Sequence, residues 1–266
     1  MRKFIFVLLT LLLVSPFSFA MKGIIWQPQN RDSQVTDTQW QGLMSQLRLQ
    51  GFDTLVLQWT RYGDAFTQPE QRALLFKRAA AAQQAGLKLI VGLNADPEFF
   101  MHQKQSSAAL ESYLNRLLAA DLQQARLWSA VPGVTPDGWY ISAKIDDLNW
   151  RSEAARQPLL TWLNNAQRLI SDVSAKPVYI SSFFAGNMSP DGYRQLLEQV
   201  KATGVNVWVQ DGSGVDKLNS VNVIYRPAPI AKVPPQQAAL FMNCLSLVKV
   251  KRLQRNRNRT QKLPRC

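Results

Sequence analysis

Short runs of near-continuous apolar residues alternate along this chain with longer stretches whose apolar positions recur every three or four residues. The runs Lys22–Pro28, Phe52–Trp59, Leu87–Asn94, Gly138–Asp146, Pro177–Phe184 and Asn206–Gln210 read as strands. The stretches Asp37–Gln50, Pro69–Ala85, Ser106–Trp128, Glu153–Val173 and Pro190–Thr203 read as helices. Thr36 or Asp37 serves as an N-cap for the first helix, and Thr67 or Pro69 opens the second. Gly51, Gly86 and Gly204 each close a helix just before a strand, so one junction is used three times. Strands apolar on both faces, alternating with helices, predict a parallel sheet covered by helices.

A (β/α)8 barrel of the TIM type fits this alternation and would use nearly all of the 266 residues. A doubly wound open sheet is the alternative, but no Gly-x-Gly-x-x-Gly follows the first strand, so a dinucleotide site is not expected. After Lys217 the alternation stops. Asn222–Tyr225 and Ala239–Met242 are weak strand candidates, and the barrel is expected to be incomplete at the C-terminus. Three segments follow: residues 1–20, a barrel domain over 21–217, and an atypical basic tail over 218–266.

Residues 1–20 combine Arg2 and Lys3, the apolar run Phe4 to Val14, and the small residues Ser18 and Ala20 of Ser18-Phe19-Ala20. This is the form of a cleaved signal peptide. The run is short for a membrane span, which takes about 20 residues; an uncleaved anchor is the competing reading. The expected location is the periplasm or the exterior, with the mature chain beginning near Met21 and no membrane contact after cleavage.

Charge changes the picture only at the tail. The net charge is +13, yet eight basic residues fall between Ser246 and Cys266, where there is no acid; without them the charge is +5. The body therefore carries no electrostatic footprint for nucleic acid, while the tail alone could hold a polyanion. Cys244 and Cys266 are the only cysteines and His102 the only histidine, so no metal-ligand spacing exists and no cofactor is expected. A Ser-His-Asp triad would have to use His102, which reads as a surface loop residue.

Chemistry collects where the strands end, the place where a barrel of this kind carries its site. These ends hold Trp26, Gln58, Trp59, Tyr62, Asn94, Asp146, Asp147, Trp208, Gln210 and Asp211, with Trp139 and Tyr140 on the fourth strand. Aromatic faces, side-chain amides and carboxylates on one rim suit a sugar. Each Trp taken singly also reads as an ordinary core residue, and Asp211, before Gly212-Ser213-Gly214, also reads as a turn residue. Side-chain alternation puts Ser142, Lys144 and Asp146 on one face of the fourth strand. A lysine there is a poor proton donor unless burial lowers its pKa; it could instead pair with Asp146 and hold it ionised.

The segments Trp26-Gln27-Pro28, Gly51 to Gly63, Gly138 to Trp150 and Val207 to Gly214 resemble a bacterial family of exported TIM-barrel proteins. That family is a domain of unknown function grouped with glycoside-hydrolase-like barrels, and the resemblance covers roughly Gly23 to Lys217. It implies the barrel and a carbohydrate-related role; the catalytic candidates come from the strand ends themselves, Asp146, Asp147 and Asp211, with Lys144 in the same row. The family's fourth strand reads Gly-Trp-Tyr-Ile-Pro-x-Glu-Ile-Asp-Asp; here Ser142 and Lys144 stand in place of the Pro and the Glu. Losing that acid predicts weak or absent hydrolysis, and a non-catalytic carbohydrate-binding protein is the alternative. The tail departs as well. Reading Phe241-Met242-Asn243-Cys244 one base earlier forces Tyr or His, then Glu, then Leu, as in a barrel strand, so residues 218–266 are expected to be out of frame. The sugar, the stereochemistry and the oligomeric state are left open by the sequence.

Overall fold

The computed structural model describes residues 21–210. Six parallel strands make the main sheet: β1 (Gly23–Trp26), β2 (Thr54–Leu57), β4 (Lys88–Gly92), β6 (Gly138–Asp146), β7 (Val178–Phe183) and β8 (Asn206–Gln210). Two-residue strands β3 (Arg61–Tyr62) and β5 (Asn94–Ala95) pair with each other above the ends of β2 and β4. The helices are α1 (Asp37–Leu49), α2 (Pro69–Gln84), the short α3 (Phe99–His102), α4 (Ser107–Ser129), α5 (Glu153–Val173) and α6 (Pro190–Ala202).

In the main sheet, spatial order follows chain order, β1-β2-β4-β6-β7-β8. A doubly wound sheet reverses direction at a switch point. A β/α barrel winds one way, each strand laid beside the last. The described residues therefore form an α/β fold of barrel type with six main strands; the weak strand candidates Asn222–Tyr225 and Ala239–Met242 lie outside them.

The sheet's two faces bury separate clusters. One layer, between sheet and helices, joins Leu55, Leu57, Leu89, Val91, Trp139, Ile141, Ile180 and Val207 to Trp40, Leu114, Trp162 and Leu196 from the helices. The other takes one residue from each main strand: Ile25, Val56, Ile90, Tyr140, Tyr179 and Trp208. This inner layer is where a barrel interior would lie. In it the Trp208 ring stacks on Tyr179 at 4.6 Å and on Tyr140 at 5.4 Å.

Local signals explain the element ends. Thr36 caps α1 through a reciprocal pair: its Oγ1 accepts from Gln39 N at 3.2 Å, and Gln39 Oε1 accepts from Thr36 N at 2.9 Å. Gly51, Gly86 and Gly204 take φ of +83°, +86° and +89°, the left-handed turn that favours glycine. The strand β6 carries an irregularity: Ile141 pairs with Ile180 while Lys144 pairs with Ser181, so Ser142 and Ala143 are extra. Two added residues leave the alternation intact, with Trp139, Ile141, Ala143 and Ile145 against the helices.

Candidate functional site

At the end of β6 both aspartates are occupied by loop construction. Asp147 is fully buried. Its Oδ1 accepts from Ala185 N and Asn187 Nδ2, both at 3.1 Å, and its Oδ2 accepts from Asn187 N at 2.7 Å. It thereby fixes the loop after β7. Asp146 accepts at Oδ1 from Leu148 N and Asn149 N, and at Oδ2 from Asn149 Nδ2 (2.8 Å) and Gln103 Nε2 (3.2 Å). Four donors on one carboxylate close a turn and tie β6 to the segment after α3. No ion pair forms between Asp146 and Lys144, so that pairing is not part of the site.

Lys144 is half-buried on the inner side of β6, in register with Ser181, which is in turn in register with Trp208. Burial holds its amine below the ordinary lysine range. Below it, Tyr140 donates to Ser181 Oγ at 2.8 Å, and burial pushes the phenol up to about 12. Ser142 Oγ donates to the Gln58 carbonyl at 2.6 Å. The same carbonyl would lie 2.2 Å from a Cβ on Gly92, so the chain leaving β2 approaches β4 where only glycine leaves room. Gln58 is buried, and its Oε1 has no partner among the described residues.

Beside this mouth, a groove of about 320 Å³ opens between the β3–β5 pair and α4. Arg61, Asp64, Asn94, Asp96, His102, Tyr113 and Arg116 line it. Tyr113 donates to Asp96 Oδ2 at 2.8 Å, and Asp96 Oδ1 accepts from Glu98 N, also at 2.8 Å. The His102 ring stacks on Tyr113 at 4.2 Å. Burial, then the Asp96 carboxylate, raises the Tyr113 phenol far above its ordinary range, so it stays a donor. Behind the groove, Asp121 is fully buried with its Oδ1 accepting from Asn94 N at 2.9 Å; burial raises its carboxyl well above the usual range. The groove offers several donors, a few acceptors and an aromatic face, which suits a hydroxylated ligand.

The rim candidates separate into groups. Gln58 and Lys144 stand at the inner mouth, Tyr140 and Trp208 are buried in the inner layer, and Gln210 ends β8 in register with Phe183. Asn94 lines the groove, while Tyr62 is exposed with its ring 4.9 Å from Trp59. Trp59 is half-buried against the helix-side core. Trp26 and Trp139 are not on the rim: both lie in the layer between sheet and helices. Trp26 is held there by donating to Asp32 Oδ2 at 3.1 Å. Asp211 lies outside the described residues. His102, read as a loop residue, sits at the end of α3 on the groove wall. Arg61, Asp96, Tyr113 and Arg116 were not among the sequence candidates; the only signal for them was their position just past strand ends or at the start of a long helix. Among the described residues no cluster of His, Cys, Asp or Glu is placed to hold a metal ion.

Sequential parallel strands, covering helices and a polar groove at the strands' C-terminal ends define a β/α-barrel-type protein with its candidate site on the usual rim. More narrowly, the chain belongs to the domain of unknown function DUF4434, whose family model matches residues 21–226. It is similar to the uncharacterized protein YbcH of Escherichia coli (strain K12), 97% identical over 220 residues, covering 83% of this chain and 74% of the relative. Among solved structures it is similar to an endo-1,4-beta-D-mannanase from Thermotoga petrophila RKU-1, with 12% identity, a TM-score of 0.47, and 84% of this chain and 87% of that one covered. It is also similar to a beta-glucanase from Saccharophagus degradans, with 11% identity, a TM-score of 0.49, and 84% and 78% covered. Both likenesses are remote, and the barrel assignment rests on the strand order itself.

Proposed function

We propose that this chain is an exported protein that binds carbohydrate at the C-terminal rim of its sheet, with weak or no hydrolysis. The observation that carries this reading is the division of labour at the rim. The groove between β3–β5 and α4 presents donors, acceptors and an aromatic face, whereas both carboxylates at the end of β6 are spent on loops. Glycoside hydrolysis needs one carboxyl free to give a proton and a second to attack or to activate water. Lys144 takes the place where the strand would supply the first. Calorimetric titration with a panel of bacterial polysaccharide fragments, alongside a reducing-end assay, tests the reading. Binding without product is expected. Turnover that disappears in Asp146→Asn would overturn the non-hydrolytic part, and absence of binding across the panel would overturn the rest.

Polyanion binding through the basic tail is kept apart from this reading. It predicts salt-sensitive retention on heparin that is lost on deleting residues 246–266. Residues 218–266 are proposed to be out of frame, and resequencing the gene across that region decides it: an intact frame with an acid-containing final strand is the expected result.

A further inference from the structure

Among the described residues, the inner mouth contains a cation without a counter-ion. Lys144 is half-buried on the inner side of β6, and among the described residues it has neither an ion pair nor a hydrogen bond. The two carboxylates nearest in sequence are already engaged by loop donors, Asp146 by four and Asp147 by three. Its neighbours in register, Ser181 and then Trp208, bring a hydroxyl and an aromatic ring but no acid. A partly desolvated ammonium in such a place gains most from an anion that arrives with its own hydrogen-bonding surface. A second cationic feature lies on the same rim. Arg61 and Arg116 line the groove, where one opposing acid, Asp96, has both oxygens bonded, leaving Asp64 as the other.

Resting on the carbohydrate reading above, the geometry points to a narrower ligand class: a sugar bearing a carboxylate, of the uronic acid type, with Lys144 as the residue that binds the carboxylate. The ring's hydroxyls are left for polar groups on the same rim, the Gln58 amide among them, whose Oε1 has no partner among the described residues. Lys144 is therefore a specificity determinant, and its exchange for a neutral residue changes which sugar is held more than whether sugar is held.

The test compares two short ligands that differ in the carboxylate alone, digalacturonate and galactobiose, by calorimetry on the full chain. The wild type is expected to hold the acidic sugar about tenfold tighter or more, the usual size of one charge-assisted hydrogen bond. Lys144→Met is expected to bring the two affinities together, and Lys144→Glu to reverse the order. The basic tail is the same in every variant, so a preference arising there would survive the exchange. Equal binding of both sugars by the wild type overturns the inference while leaving the carbohydrate reading standing, and so does a preference that persists in Lys144→Met. Binding of neither sugar by the wild type, together with failure across the wider panel, overturns both.

Discussion

Asp147 gives the sharpest separation between a loop anchor and a catalytic acid. The perturbation is Asp147→Ala, with Asp147→Asn beside it. The carboxylate is fully buried and accepts three hydrogen bonds, from Ala185 N, Asn187 N and Asn187 Nδ2. A hydrogen bond to a charged group contributes roughly 1.5–3 kcal/mol, and a buried donor left without a partner costs about 1–3 kcal/mol. The full sum would be too large here, because Asn187 is exposed and water can reach its groups once the carboxylate is gone. Counting Ala185 N as the donor truly stranded, with partial losses at Asn187, gives about 3 kcal/mol for Ala. Asn keeps one acceptor oxygen but sets an amide against one of the donors, for about 1.5–2 kcal/mol. Urea unfolding followed by far-ultraviolet circular dichroism reads this directly. With a slope of roughly 1–3 kcal/mol/M, the Ala midpoint should fall by about 1 M or more. Sugar binding by the folded fraction should survive in both variants. A midpoint within experimental error of the wild type, combined with lost binding or turnover, would refute the reasoning and return Asp147 to the site.

Three further outcomes are expected. Gly92→Ala should give little soluble protein, because its new Cβ would stand 2.2 Å from the Gln58 carbonyl oxygen and 2.3 Å from that of Leu57; normal yield and an unchanged spectrum would count against this close approach. Burial raises the Asp121 carboxyl well above its ordinary 3.8, so its contribution is full below that pH and is lost as pH rises toward the folded value. Asp121→Asn should therefore gain stability over the wild type on going from pH 4 to pH 7, and a difference that does not change with pH would show the carboxyl to be ionised in the fold. The intact mass of protein recovered from the periplasm should correspond to a chain that begins at Met21, and retention of residues 1–20 would favour the uncleaved anchor.

The strands were legible because parallel strands buried on both faces read as apolar runs. The expected bounds of β6, β8 and α5 coincide with the observed ones. The groove was not legible, since strands of two residues and a helix of four leave no periodicity to read. The displaced tryptophans divide differently. Trp139 was readable: the alternation that puts Ser142, Lys144 and Asp146 on one face of β6 puts residue 139 on the other. Trp26 was not, because what fixes it is Asp32, six residues on, in the 3-10 turn Asn30–Gln34. The acids misled for a third reason. Adjacent carboxylates at a strand end have the same appearance in sequence whether they meet a ligand or backbone amides, and only the loops folded around Asp146 and Asp147 tell the two apart.

The pair of extra residues in β6 sets a counting rule for how this strand can change length. Ser142 and Ala143 leave Tyr140 and Lys144 facing the same way because they come as two. Loss of a single codon there would turn Lys144 toward the helices and bring Ile145 to the mouth, exchanging an amine for a hydrocarbon without altering either residue. Length variants of this strand that keep the chemistry of the mouth should therefore differ by six nucleotides and not by three.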